Sequence, residues 1–260
     1  MDKKIKMAVT VFFLGIMAMT GLQTGLYGQT KMMILKKDKT VVSIPLTEID
    51  KITYSDPEEE LKANTITDID GNVYKTIMIG KQLWMAEDLR TTRFTDGTVI
   101  PQIEDNEKWK KNGEVPAMSW YENRRDGKYG ALYNGYAVER GYLCPKGWRV
   151  PKMADWEVLI NECGGIGVAG SKLKESGTTH WNGPNFGSLN EKGFSAFGTG
   201  YRTSAGEFSF RNGTGIWWSS SEATYSNYST IAMYYNYQSI AKGSFSKAQG
   251  NCVRCIKDDL

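Results

Sequence analysis

Histidine is all but missing from these 260 residues: there is one, His180. A histidine-built zinc site is thereby excluded, and any serine triad would have to use that single imidazole. Net charge is nearly missing too, with 32 Lys and Arg against 29 Asp and Glu. Such a balance gives no electrostatic reason to expect nucleic acid or an anionic membrane as a partner. Long apolar runs are lacking as well. The one candidate, Ala8 to Thr20, is too short and interrupted for a comfortable membrane span, so no stable span is expected in the mature chain. Cysteine occurs four times and proline seven. What the chain has in quantity is glycine, 28 residues, together with 12% aromatics. That is the palette of a turn-rich, aromatic-packed β or α+β domain.

Residues 1–28 carry the pattern of a secretory signal peptide. Lys3, Lys4 and Lys6 precede the apolar stretch, and small and polar residues up to Gly28 allow cleavage. The segment holds three lysines and one aspartate, so its removal takes the net charge from +3 to about +1. No cysteine sits near the cleavage point, which argues against a lipid anchor. The expected location is outside the cytoplasm: extracellular, cell-surface or periplasmic. All four cysteines (Cys144, Cys163, Cys252, Cys255) belong to the mature chain. An even number in an exported protein favours disulfides, with three connectivities open. Cys252 and Cys255 spell C-x-x-C, but redox pairs of that kind sit at a helix N-terminus, and Val-Arg-Cys-Ile alternates like a strand.

Residues 29–56 read as a short β segment. Met33 to Leu35 and Val41 to Ile44 flank a turn at Lys37-Asp38-Lys39, and Ile49 to Tyr54 alternates again. Alone it is too small to hold a core. A charged linker over 57–64 leads to a main domain at 65–260. That domain opens with strands on either side of Asp70-Gly71, a hairpin signal. Its centre is Leu143 to Trp156, LCPKGWRVPKMADW, behind which Trp156, Leu159, Ile160 and Cys163 mark one face of a helix. Gly164-Gly165 ends that helix, and Ala169 to Glu175 predicts a second. Strands follow at Gly215 to Ser219, Ile231 to Tyr237 and Cys252 to Ile256. The tandem Trp217-Trp218 must face opposite sides of its strand.

These stretches also carry a resemblance. LCPKGWRVP followed by Asp-Trp, SKLKESGTTHWN (171–182), WWSSSE (217–222), VRCIKD (253–258) and TDIDGNVYKTIMIGKQLWMAEDL (67–89) resemble the Fibrobacter succinogenes major paralogous domain. The resemblance implies an α+β, C-type-lectin-like fold: two helices on a mostly antiparallel twisted sheet, with long aromatic-rich loops. It also implies the bridge Cys144–Cys255, because the family places a cysteine at each position; Cys163 and Cys252 would then form a second pair. Lectin-like folds also host cysteine-dependent oxidases such as the formylglycine-generating enzymes, which need free, reactive thiols.

Gly165, Gly167 and Gly170 spell G-x-G-x-x-G, but they follow a helix, and a dinucleotide site needs a strand there. Asp68-Ile69-Asp70-Gly71-Asn72 opens like a calcium loop, yet Ile79 stands where a bidentate glutamate belongs. Calcium is therefore unsupported by motif, and no cofactor or metal is expected. Ser219-Ser220-Ser221 lies in no nucleophile elbow and reads as strand and turn hydrogen bonding. Glu157 and Glu162 face different sides of their helix, which removes them as a glycosidase pair. What remains is a run of tyrosines among Ser, Asn and Thr, the chemistry of adaptable recognition surfaces. The candidate ligand-binding residues are Trp218, Glu222, Tyr225, Tyr228, Tyr235 and Tyr237. The expectation is a non-catalytic binding module for a glycan or a surface protein. A structural or fimbria-associated assembly component is the alternative, and a cysteine-dependent oxidase the third reading.

Overall fold

The computed structural model describes residues 64–258 throughout, and before them four strands: β1 (Met7–Thr10), β2 (Lys31–Leu35), β3 (Val41–Pro45) and β4 (Ile49–Thr53). The chain divides into two units, Met1–Ala63 and Asn64–Leu260. In the first, β2 and β3 form an antiparallel ladder with Met33 opposite Ser43, and β4 runs parallel to β1. Three of the four strands fall where the alternation predicts them. β1 lies inside the stretch read as an export signal. The expected linker lies outside the described residues, except for Asn64.

The second unit begins as its turn chemistry dictates. Gly71 takes a left-handed backbone at φ +83°, and β5 (Thr65–Thr67) folds back on β6 (Val73–Ile79). Gly80, also left-handed, then turns the chain into β7 (Gln82–Met85). The middle of the chain supplies α1 (Asn106–Lys110), β8 (Met118–Ser119), β9 (Leu132–Asn134), α2 (Gly135–Glu139) and β10 (Trp148–Arg149). After it come α3 (Met153–Glu162), α4 (Ala169–Leu173), β11 (Tyr201–Arg202) and β12 (Phe208–Ser209). The long strands are last: β13 (Thr214–Thr224), β14 (Asn227–Tyr234) and β15 (Ile240–Ser246), followed by the short β16 (Gly250–Asn251) and β17 (Ile256–Lys257).

These strands make three antiparallel sheets, ordered β10-β17-β7-β6-β5, β12-β11-β16-β9-β8 and β13-β14-β15. This corrects the expected α+β, C-type-lectin-like arrangement of two helices on a sheet. The described residues hold four short α-helices, of which only α3 exceeds five residues. The reasons are local. In α4, the Gly170 backbone is pressed so closely on the main chain of Gln238 and Ser239 that a Cβ there would meet a carbonyl oxygen at 2.7 Å. The chain leaves the helix at Lys174, whose backbone is extended. The Tyr-, Trp- and Gly-rich sequence from Met118 onward supplies β8 and β9. β15 adds a strand that the hydrophobic pattern did not announce.

α3 forms as its sequence predicts. The Asp155 carboxylate accepts the Lys152 N–H at 2.6 Å and a two-pronged Arg149 guanidinium at 2.6 and 3.0 Å. Burial alone would raise this carboxyl, but Arg149 and the Lys152 N–H hold it below the usual carboxylate range. Trp156, Leu159, Ile160 and Cys163 are all buried, and Gly164 and Gly165, at φ +90° and +97°, end the helix.

The core has two parts, and β13 contributes to both. Trp217 belongs to one part, with Trp84, Trp156, Phe194 and Ile231. Trp218 belongs to the other, with Tyr74, Met118, Tyr133 and Val253. One strand thus drives two successive indoles into opposite halves of the domain. Cys144 and Cys255 are bonded across 111 residues of sequence. The expected second bridge is absent: Cys163 and Cys252 are free thiols. Both behave as small core hydrophobes, in different surroundings. Cys163 closes α3 near Lys172 and Lys192, whereas Cys252 lies in the core beside Asp88, Thr199 and Arg254. Burial pushes both thiols up.

Candidate functional site

The serines after the tandem tryptophans are structural. Ser221 Oγ accepts the Met153 N–H at 3.0 Å, Ser220 Oγ donates to the Val150 carbonyl at 3.1 Å, and the Ser220 N–H donates to Pro151 at 2.8 Å. The hydroxyl run therefore docks β13 on the start of α3. Gly165 and Gly167 of the glycine motif lie between α3 and α4, and Gly170 lies inside α4; no strand directly precedes them. In the Asp68–Asn72 turn, the Asp68 carboxylate accepts from the N–H groups of Asp70 and Asn72, the Asn72 amide and the Tyr74 hydroxyl. Asp70 accepts from Thr91 and Thr92 and faces Arg93 at 3.5 Å. Protein donors thus occupy these carboxylates, and a calcium ion would have to displace them. Among the described residues no group of three or more His, Cys, Asp and Glu is placed to hold a metal.

His180 is buried in an aromatic nest. Its Nδ1 lies 2.7 Å from Glu175 Oε2, and its ring stacks on Phe197 at 4.1 Å, with Tyr129 edge-on at 5.1 Å. The loop histidine is held by hydrogen bonding and packing.

The surface at the far end of β13 has a different character. Pairing between β13 and β14 slips after Trp218, and the hairpin closes on Tyr225 and Ser226, between Thr224 and Asn227. Tyr225 is 82% exposed. Beneath it lies Lys247, a buried lysine whose Nζ sits 2.6 Å from Glu139 Oε1 and 3.2 Å from Glu222 Oε1. The same ammonium lies 4.7 Å from the Tyr228 ring centroid and 5.8 Å from that of Tyr225. Burial alone would lower this ammonium, but the two carboxylates hold it above the usual lysine range. Gly135 makes the arrangement possible: a Cβ there would meet Lys247 Cα at 2.6 Å.

The six predicted residues therefore part company. Glu222 and Tyr225 form the tip, with Tyr228 as its floor. Trp218 is wholly buried; its Nε1 donates to the Tyr133 carbonyl at 2.7 Å, and its ring meets Tyr228 edge-on at 6.5 Å. It supports the surface from below and cannot touch a ligand. Tyr235 is half-buried against the first core. Tyr237 is exposed, edge-on to Tyr234 at 6.2 Å, beyond the opposite end of β14. Eight strand residues separate the two ends, on the order of 25 Å, so one small ligand cannot bridge them. Sequence reasoning missed Glu139, the last residue of α2, and Lys247, just after β15; folding brings both to the tip, and neither carries a local signal.

The family model of the Fibrobacter succinogenes major domain matches residues 77–257. The chain belongs to that family. No curated protein and no solved structure matches the chain. The matched span of this Fibrobacter succinogenes major domain contains the disulfide, both cores' tryptophans and the whole tip from Glu139 to Lys247. The opening strand β5 precedes it.

Proposed function

We propose that this family member is an exported binding module that recognises a glycan through the tip of the β13–β14 hairpin, working extracellularly, at the cell surface or in the periplasm. The observation that carries the reading is the exposed Tyr225 ring above a buried Lys247 clamped by Glu139 and Glu222. An aromatic face stacks on a sugar ring while fixed carboxylates take its hydroxyls, and Lys247 holds those carboxylates in place. Export is supported by the leader pattern of residues 1–28 and by a disulfide, a bond that persists in oxidising compartments. The oxidase reading loses support because neither free cysteine is exposed and burial pushes both thiols up, which suppresses the nucleophilic thiolate. A glycan array probed with the mature chain and with Tyr225→Ala tests the proposal. Binding by the parent and its loss in the variant support it; no binding to any glycan overturns it.

One observation favours a second reading, an assembly component. Ile166, Phe186 and Leu189 are exposed, and their backbones are tied around the Tyr235–Ile240 stretch by Ile240 N–H to Ile166, Phe186 N–H to Tyr235, and Leu189 N–H to Ser171 beside Gln238. Exposed apolar groups gathered in this way mark protein contacts. Sedimentation of the parent and of Phe186→Asp distinguishes this reading: self-association that the aspartate abolishes supports it.

A further inference from the structure

Beside the tip lies a second feature, in a turn closed by the Gly213 and Thr214 N–H groups on the Phe210 carbonyl. Phe210 follows β12 with a left-handed backbone, φ +59°, and is 67% exposed. Both properties are unfavourable for phenylalanine: the conformation suits Gly or Asn, and the ring faces water. It belongs to neither core. Its ring plane lies within 10° of that of Tyr201, centroids 6.1 Å apart, and Tyr201 lies within 23° of Phe245 at 6.5 Å. Strands β11 and β15 and the turn after β12 thus contribute three rings in near-parallel planes. Burial, and then the nearby Tyr234, push the Tyr201 phenol up. Phe245 pairs directly across the sheet with Tyr228, the floor beneath Lys247, so the ladder runs into the tip.

We propose that Phe210, Tyr201 and Phe245 form a track for a neutral polysaccharide chain, laid lengthwise and ending at the Tyr225–Lys247 tip. This rests on the glycan reading of the tip and specifies its ligand: a chain several sugars long, not a single terminal residue. Successive aromatic faces suit successive pyranose rings, whose C–H faces pack on the negative face of an aromatic ring. Single-stranded nucleic acid also stacks on aromatics, but it needs cations along its backbone. The arginines that flank the ladder in sequence are engaged elsewhere: Arg211, next to Phe210, pairs with Asp126 and lies over the rings of Tyr121 and Tyr129. Arg202, next to Tyr201, is turned inward, its guanidinium spent on the carbonyls of Gly206 and Glu104 and on Asn106 Oδ1, between the rings of Trp109 and Phe208. A covering ligand also accounts for Phe210, a large ring held outward at a position that glycine would occupy without strain.

The test is calorimetric titration of the parent, Phe210→Gly and Tyr225→Ala with β-linked gluco-, xylo- and manno-oligosaccharides from two to six sugars, with melting temperatures alongside. Parent affinity is expected to climb with chain length. Phe210→Gly is expected to lower hexasaccharide affinity at least tenfold and disaccharide affinity far less. The same change relieves the backbone and raises the melting temperature by about 2–4 °C. Tyr225→Ala weakens every length. Tyr225-dependent binding that does not grow with length, or a Phe210→Gly variant that keeps full hexasaccharide affinity, overturns the track and leaves the tip standing. No binding of any sugar by the parent overturns both.

Discussion

Arg254 reaches Asp88 across 166 residues of sequence, its Nη2 at 2.5 Å and its Nε at 2.7 Å from the same Oδ1, with both side chains almost wholly buried. That oxygen also accepts the Trp217 indole N–H at 2.8 Å. The remaining guanidinium donors go to the carbonyls of Phe194 and Ser195, and the Phe194 ring lies 4.2 Å from its carbon. One ion pair therefore joins the end of the first sheet, the long hairpin, the loop before β11 and the closing segment. A buried charge is tolerated only when paired and fully hydrogen-bonded, and here it is.

Asp88→Asn or Arg254→Met leaves the partner charged and unpaired in the core. Each is expected to destabilise the domain by about 3–5 kcal/mol, read as a fall in the urea midpoint. Replacing both residues with apolar ones should recover a large part of that loss. Equal losses in the single and double variants would show that the ion pair is not the source.

Elements whose signals are local were legible in the sequence. Gly71, the apolar stripe of α3 and the alternation of Trp217 and Trp218 each follow from backbone geometry over a few residues. Cys144–Cys255 came with the family resemblance. The fold class did not survive, because several elements are too short to show a period: α4 is five residues, and β8, β11, β12, β16 and β17 are two each. Such strands are defined by their partners. The site divided for a related reason. Tyr225 and Tyr237 are close in sequence, but a strand carries one far from the other. Lys247 joins Glu139 and Glu222 through folding alone, and the ladder of Phe210, Tyr201 and Phe245 is assembled from three places.

The cysteines give a count that can be checked. Alkylation of the native oxidised protein is expected to label none of them, since Cys163 and Cys252 are buried. Unfolding without reductant exposes two, and unfolding with reductant exposes four. Mass spectrometry reads each number directly, and zero labels after unfolding without reductant would restore the second bridge. Cys255→Ser removes a closure of 111 residues, expected to cost about 4–5 kcal/mol in the chain-entropy account.

The tip makes its own claim on stability. Lys247→Met removes the cation between Glu139 and Glu222 and leaves two carboxylates facing each other over Tyr228. Stability at neutral pH is expected to fall by about 1–3 kcal/mol. The loss should shrink in acid, where the carboxylates take up protons. A loss of the same size at pH 4 and pH 7 would assign the effect to packing alone.

Lys174 supplies the pH dependence with the clearest sign. Its ammonium is buried with no carboxylate, held by the carbonyls of Phe186, Tyr234 and Tyr237 at 3.3, 3.0 and 2.9 Å. Burial pushes it down from 10.5 to about 8. The unfolded chain therefore binds this proton more tightly than the folded one, so this residue's contribution to stability rises with pH. The cost of burying the charge is full below about 8 and is relieved as pH climbs towards 10.5. Cys163 and Cys252, raised by burial, act with the opposite sign, because the unfolded thiols ionise first. The informative quantity is thus the difference between the parent and Lys174→Met, which keeps both thiols. Urea midpoints measured from pH 7 to pH 10 should show the parent gaining on the variant across that window. A constant difference would mean that the three carbonyls hold Lys174 protonated throughout.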